Sequence, residues 1–585
     1  MIVHCVNPGG LDVVADWRER TRGQPWAGSE PPGRTHPVGH DLNRDWIMLT
    51  QPETRAVVER VFNHWRPVIV LDLHEMPPNG PRYALPPYVK PIDPSLPTSM
   101  SHVAGQLGLA IAAKMRREGK TGVATGLFFD AFSPARAYPP YHGGVRVLAE
   151  AAGTRLGLPA HLSADELASA PGFDPRQPSA AHPCPWQGGR WTLADVADYH
   201  RTAVVTTIIE GAHLALDQSE PIASGSFVIP PLPMQPDPGA TKRLHDTLAR
   251  GGVHLAEAAE PFHIGDVEFP AGSVIIDSEQ PAWPWARSLL SVQHYPFMDG
   301  GSSRPPYDVT AQTLPLLMGV DAIRTSDRMR VATRSIERPI ESPRLTLSGG
   351  PVAVYHSLRP DATQAGWAMT MLADAGIEPI ELGNAAIRSG ALDGLFVIIL
   401  PHQRPVDVLN GLNLAEYPAE FTGGIGQAGL RKLKQWVRAG GLLIAIDGAA
   451  EAVVHGFHLP IEVVASGFYA PGSILRVELD AEHPIVSGGG SEMAIMSLTS
   501  AAFDLDRSPA PDVRAVARYP HDDPLLSGWL SGWERLAGQA AIVEQRLGAG
   551  AVLLFGCRPL FRGQTLSSRR LIVNATRNAR KPRTQ

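Results

Sequence analysis

The chain reads as an α/β protein of several domains, and three observations predict that class. At 585 residues it is too long for one hydrophobic core and long enough for roughly four domains. Short apolar runs bounded by polar or glycine turns, such as residues 68–73 and the run in GLFVIILPH (394–402), read as buried strands of mostly parallel sheets. Between them lie helical stretches, such as residues 102–117, with apolar positions at Val103, Leu107, Leu109, Ile111 and Met115.

Bulk properties exclude several classes. Hydrophobic content of 44% and charged content of 19% describe an ordinary globular protein. A net charge of −6 is small for this length, so nucleic acid is not an expected partner. Cys5, Cys184 and Cys557 are odd in number and far apart, which rules out a disulfide framework or a cysteine-rich zinc site. No apolar run reaches the roughly 18 residues of a membrane span. The opening MIVHCVNPGG has neither a basic n-region nor a long apolar h-region.

The most informative stretch is residues 39–75. Asn43 and Arg44 fall in a polar loop, GHDLNRDW, ahead of an expected helix with Pro52 in its first turn and Glu53 behind it. The strand at 68–73 should then deliver His74 and Glu75 at its carboxyl end, where ligands sit in open α/β sheets. Taken alone, these residues allow a plainer reading. Arg44 would pair with Asp41 or Asp45 at the surface, and His74 would be an ordinary strand-end histidine. A guanidinium is nevertheless the planar fork that grips a carboxylate bidentately.

In this order, DLNRDW, a Pro-Glu-Thr helix and an apolar strand closing on DLHE resemble the zinc carboxypeptidases of the carboxypeptidase A type. The resemblance implies a mixed-sheet carboxypeptidase-type catalytic domain, incomplete here, over residues 1–215. It implies that Asn43 and Arg44 clamp the free C-terminal carboxylate of a peptide substrate and that His74 is a zinc ligand. Glu150, at the end of a strand that follows a tyrosine-bearing loop, would be the general base, with Tyr138 or Tyr141 closing over the substrate. Glu210 is a lesser rival, because it falls in or just past a helix starting near Leu193.

Catalytic zinc takes three protein ligands and leaves one position for water. The family draws two of them from a His-x-x-Glu pair upstream of an Asn-Pro-Gly turn. Here that turn, at Asn7, Pro8 and Gly9, follows only a short expected strand at residues 2–6. The missing pair is therefore expected before Met1, together with an export signal; the location would be periplasmic or secreted if that signal exists. His254 and Glu257 form the one His-x-x-Glu inside the chain, a match expected by chance among 21 histidines and placed after the base. Zn2+ is thus the implied cofactor with one of three ligands present. The alternative is a zinc-free relative that binds peptides or glycans.

Beyond the first domain, residues 216–327 mix strands, one helix and Gly-Pro punctuation and predict a β-rich accessory domain. Residues 328–349 read as a polar connector. Strands and helices alternate over 350–470, predicting a doubly wound, flavodoxin-like domain. It resembles the class I glutamine amidotransferase fold. That chemistry needs a thiolate on the turn after a strand, and no cysteine lies between Cys184 and Cys557. Gly423, Gly424 and Gly426 lack the spacing of a phosphate cradle. Residues 471–585 alternate strands and glycine turns, predicting a β-rich C-terminal domain.

Overall fold

The computed structural model describes residues 1–33, 36, 39–127, 132–170, 172–214, 224–296, 306, 308–336, 351–359, 363–507 and 510–579. The connector expected at 328–349 lies partly outside them, but Thr333–Ser335 is a strand of the second sheet. Among the described residues no helix is long and apolar enough to cross a membrane.

The N-terminus departs from expectation. Residues 1–6 form no strand, since no neighbouring strand pairs with them, and helix α1 (Pro8–Arg20) begins where a turn was expected. Asn7 accepts a hydrogen bond from the Gly10 amide (2.9 Å) and Pro8 occupies the first turn, so the same residues serve as a helix start.

The first domain holds a four-stranded sheet of β1 (Ile69–Met76), β2 (Tyr83–Leu85), β3 (Val123–Thr125) and β4 (Val145–Ala152), in the order β1-β4-β2-β3. β1 runs parallel to β4, and β2 antiparallel to it. The period of two divides the residues of β4 between two faces. Val145, Val147, Ala149 and Ala151 pack into one core with helices α2 (Thr98–Arg117) and α3 (Leu193–Gly211). Arg146, Leu148 and Glu150 point the other way, as do Asp72 and His74 of β1. A mixed sheet was expected and is present.

The second unit is an antiparallel five-stranded sheet flanked by the helix Pro238–Arg250. Its strands lie in the order Ile323–Thr325, Ser226–Ile229, Val274–Asp277, Ala256–Ala258 and Thr333–Ser335. In the third, Ile380–Leu382, Val352–Tyr355, Val397–Leu400, Leu442–Ile446 and Gly550–Phe555 lie side by side and parallel. The last of these strands comes from the stretch assigned to a separate C-terminal domain. Ala540–Leu547 pairs antiparallel with it and leads into Val513–Arg518, Ser473–Leu479 and Glu492–Ser497. One sheet therefore crosses the boundary expected at residue 470. The cause is legible afterwards: residues 552–555, VLLF, are buried throughout, as a central parallel strand requires.

Candidate functional site

The loop carrying Asn43 and Arg44 is shaped by its two aspartates. Asp41 accepts the Asn43 amide (2.9 Å) and starts a single helical turn, Leu42–Arg44. Asp45, fully buried, accepts the amides of Thr50 (2.9 Å) and Gln51 (2.8 Å) and the Thr50 hydroxyl (2.7 Å). Both carboxylates are thus engaged with the backbone, and Arg44 pairs with neither. Its Nη1 donates to the Asn43 carbonyl (2.9 Å) and its Nη2 lies 3.9 Å from Asp308, which also pairs with Arg136. Three charged side chains from separate segments therefore meet beside Asn43.

On the sheet, His74 and Glu150 are register partners across β1 and β4. His74 Nδ1 lies 3.7 Å from Glu150 Oε1, and its Nε2 lies 3.1 Å from Asp72 Oδ1. Asp72 is held in turn by Arg146, at 2.9 Å from Nε and 2.7 Å from the terminal nitrogen. Burial drives the Asp72 carboxyl toward neutrality, but Arg146 and His74 outweigh it and hold it well below the usual carboxylate range. Burial likewise disfavours a charged His74. The Asp72 hydrogen bond and charge, with help from Glu150, more than offset it and raise the imidazole above its ordinary value. A carboxylate behind an imidazole fixes its tautomer and ring plane, the usual support for a metal ligand or a proton carrier.

A cavity of about 390 Å³ opens on this face, lined by Asn43, Asp72 and His74 together with His36 and His40. Thr363 of the third unit also lines it. Glu150 adjoins the lining through His74, and Arg44 through Asn43. Both His74 and Glu150 lie two residues inside their strands rather than at the ends.

The two tyrosines are placed elsewhere. The Tyr138 hydroxyl lies within hydrogen-bond distance of the Gly251 carbonyl (2.8 Å) and Asn63 Oδ1 (3.0 Å), and its ring stacks on His142 at 3.8 Å. Tyr141 donates to Asp93 Oδ2 (2.7 Å). Both are buried and neither lines the cavity, because their loop is packed against the second unit. Glu210 is exposed near the end of α3. His254 is bonded to Ser335 (2.9 Å) on the accessory sheet. Among the described residues no group of three or more His, Cys, Asp or Glu side chains could hold a metal ion.

Sequence reasoning missed a second cluster. Asp447 sits on the sharp turn between Leu442–Ile446 and the helix Gly448–Phe457, with φ 53° and ψ −118°. Gly448 follows because any Cβ there would stand 2.3 Å from the Gln403 carbonyl. The carboxylate meets Arg558 Nε (2.5 Å), Ser500 Oγ (3.0 Å) and His402 Nδ1 (3.1 Å). Cys557 lies in the same neighbourhood, but burial, and next the Asp447 charge, push its thiol far up. It is therefore not a thiolate nucleophile. The glycine run at 423–426 presents carbonyls rather than amides: Gly423 O accepts from Asn384 (2.8 Å) and Gly424 O from Arg388 (3.1 Å).

No family model and no curated protein matches this chain. Among solved structures, it is similar to a putative GMP synthase protein from Thermoplasma acidophilum, at 13% identity over 39% of this chain and 96% of that one, TM-score 0.26. A putative ThuA-like protein from Bacteroides uniformis shares 13% identity over 40% and 94%, TM-score 0.27. A glutamine amidotransferase from Thermotoga maritima shares 7% over 36% and 76%, TM-score 0.24. These neighbours include glutamine-amidotransferase-like folds. None of the comparisons bears on the resemblance of the first domain to the carboxypeptidases.

Proposed function

We propose that the first domain grips peptides by their C-terminal carboxylate and that its chemistry is that of a metallocarboxypeptidase. Asn43 and Arg44 form the clamp, and Glu150 is the general base. The observation that supports this reading is the register pairing of His74 with Glu150 on a sheet face that opens into a cavity also lined by Asn43. Glu150 would take the proton of an attacking water and pass it to the leaving amine. The clamp confines cleavage to the last peptide bond, since an internal bond offers Arg44 no carboxylate.

The implied zinc would supply Lewis-acid activation of the carbonyl and the water. His74, oriented by Asp72, is the one candidate ligand here, and a lone imidazole does not hold zinc against water. The described donors therefore do not fit a resident ion, and turnover needs donors beyond them. That mismatch favours a second reading, a zinc-free protein that binds peptide C-termini with the same clamp.

The test is titration calorimetry with N-acetyl-glycyl-phenylalanine and its C-terminal amide, followed by a hydrolysis assay with and without added zinc. Both readings expect the acid, and not the amide, to bind. Hydrolysis that falls about 10²–10⁴-fold in Glu150→Gln at unchanged affinity selects the peptidase. Binding without hydrolysis selects the zinc-free reading, and equal behaviour of acid and amide removes both.

A further inference from the structure

The sequence FRGQT, residues 561–565, belongs to the C-terminal part of the chain, yet it packs against the loop that carries the clamp. Gly563 adopts φ 74°, and a Cβ there would stand 3.2 Å from Thr50 Cγ2 and 3.8 Å from Met48 Cβ. Arg562 just before it has φ 48°, a left-handed conformation costly for any residue but glycine. Backbone strain of this kind persists where the surroundings hold a side chain in one place, and here the side chain is a buried guanidinium.

Only 9% of Arg562 is exposed. Its guanidinium lies 4.7 Å from the Phe561 ring centre and 5.7 Å from that of Trp367. Trp367 in turn meets the ring of His40 edge-on at 6.0 Å, and His40 lines the cavity beside Asn43. Among the described residues Arg562 forms no ion pair, and its buried Nε has no hydrogen-bond partner. Burial first, then the positive charge of Arg44, with Arg136 adding to it and Asp41 resisting, push its pKa down to about 9. A buried cation near Arg44, Arg136 and Arg558, without a carboxylate on it, is an expensive arrangement unless an anion completes it.

We propose that Arg562 is a second guanidinium of the carboxylate clamp, contributed to Arg44 by the C-terminal part of the chain. This rests on the reading of Asn43 and Arg44 as that clamp. Charge counting sets the ligand class. Among the charges that act on Arg562, Asp308 offsets Arg136, Asp447 offsets Arg558, and Asp41 offsets one of Arg44 and Arg562, which leaves a single positive charge. One carboxylate neutralises it, so a peptide tail fits better than a phosphate dianion. The third unit then has a role in the site that its missing thiol does not supply: Thr363 lines the cavity, Trp367 stands behind the lining residue His40, and Arg562, packed on Trp367, supplies half of the grip.

The experiment measures binding of N-acetyl-glycyl-phenylalanine to the full chain and to Arg562→Met, Arg562→Lys and Arg44→Met, with melting curves of each ligand-free protein. Arg562→Met should bind the acid at least tenfold more weakly and melt no lower than the parent, because an unpaired buried charge has been removed. Arg562→Lys, which keeps the charge but not the fork, should fall between. If Arg44→Met loses the acid while Arg562→Met binds it as the parent does, the clamp stands and this proposal falls. If the parent itself fails to prefer acid over amide, the clamp reading falls and takes the proposal with it. Should Arg562→Met not fold, Arg562→Lys decides: a threefold or greater loss of affinity with unchanged melting supports the proposal, and unchanged affinity overturns it.

Discussion

Twice among the described residues an aspartate stands between a histidine and an arginine at a sheet. Asp72 lies 3.1 Å from His74 and 2.7 Å from Arg146, while Asp447 lies 3.1 Å from His402 and 2.5 Å from Arg558. In both, burial opposes ionisation and the arginine overrules it. The chemistry of the two trios is the same, and their surroundings differ. The Asp447 side chain is 8% exposed and is bonded by Ser500 as well. The Asp72 side chain is 36% exposed, faces a cavity, and has Glu150 on the far side of its histidine. A carboxylate shut away from solvent staples its strands together, whereas one that faces a cavity, with a further carboxylate beside its histidine, can exchange protons with a ligand. The sharp turn at Asp447 is of the kind that presents nucleophiles in other folds, so turn geometry by itself does not mark a working site.

The strongest way to break this comparison is to cut the closed trio. Asp447→Ala leaves Arg558 buried without its carboxylate and should cost about 3–5 kcal/mol of stability, read from urea unfolding. It should leave binding of N-acetyl-glycyl-phenylalanine unchanged. A variant that keeps its stability but loses the peptide would make Asp447 part of the site.

A smaller effect tests the boundary between open and closed regions. Tyr141 donates to Asp93, which also accepts from Ser288 Oγ (2.6 Å) and the Ser95 amide (2.8 Å). Removing one donor from a buried carboxylate with two others left should cost about 1–2 kcal/mol in Tyr141→Phe. Affinity for the acid should not move. A loss of affinity at constant stability would return Tyr141 to the substrate-closing role that the family resemblance implies.

What the sequence made legible follows the range of the interactions. That His74 and Glu150 each sit late on an apolar strand was readable, but the strands run two residues past them, and the register that pairs the two was not, because it is set by packing against a shared core. The Asn43–Arg44 loop was readable as a polar turn, but not the division of labour by which Asp41 and Asp45 bind backbone and leave Arg44 for Asp308, some 260 residues away by chain position. Asp447 was invisible because its partners Ser500 and Arg558 arrive from loops 53 and 111 residues away in the chain. The boundary at residue 470 failed for a related reason, since composition changes there but the sheet does not end. Asn7 and Pro8 suit a turn and a helix start equally, and only the lack of a partner strand for residues 1–6 decides between them.

The finest test of the open trio is its response to pH. His74 titrates above its ordinary value in the folded chain, because Asp72 and Glu150 outweigh burial and Arg146. A raised histidine pKa contributes stability that is fully present below the unfolded value of about 6.5. That contribution is lost as pH rises through the higher folded value. The melting temperature should therefore decline as pH is raised from 6 toward 8, in a step that His74→Gln abolishes. The Asp72 titration does not interfere, because its depressed pKa moves its own window below the ordinary carboxylate range. The closed trio supplies the control: Asp447, too, is held well below that range, so its loss of charge falls far from neutral pH. If the step survives in His74→Gln, the imidazole is not charged by its two carboxylates at neutral pH, and the open trio does not hold a proton at His74.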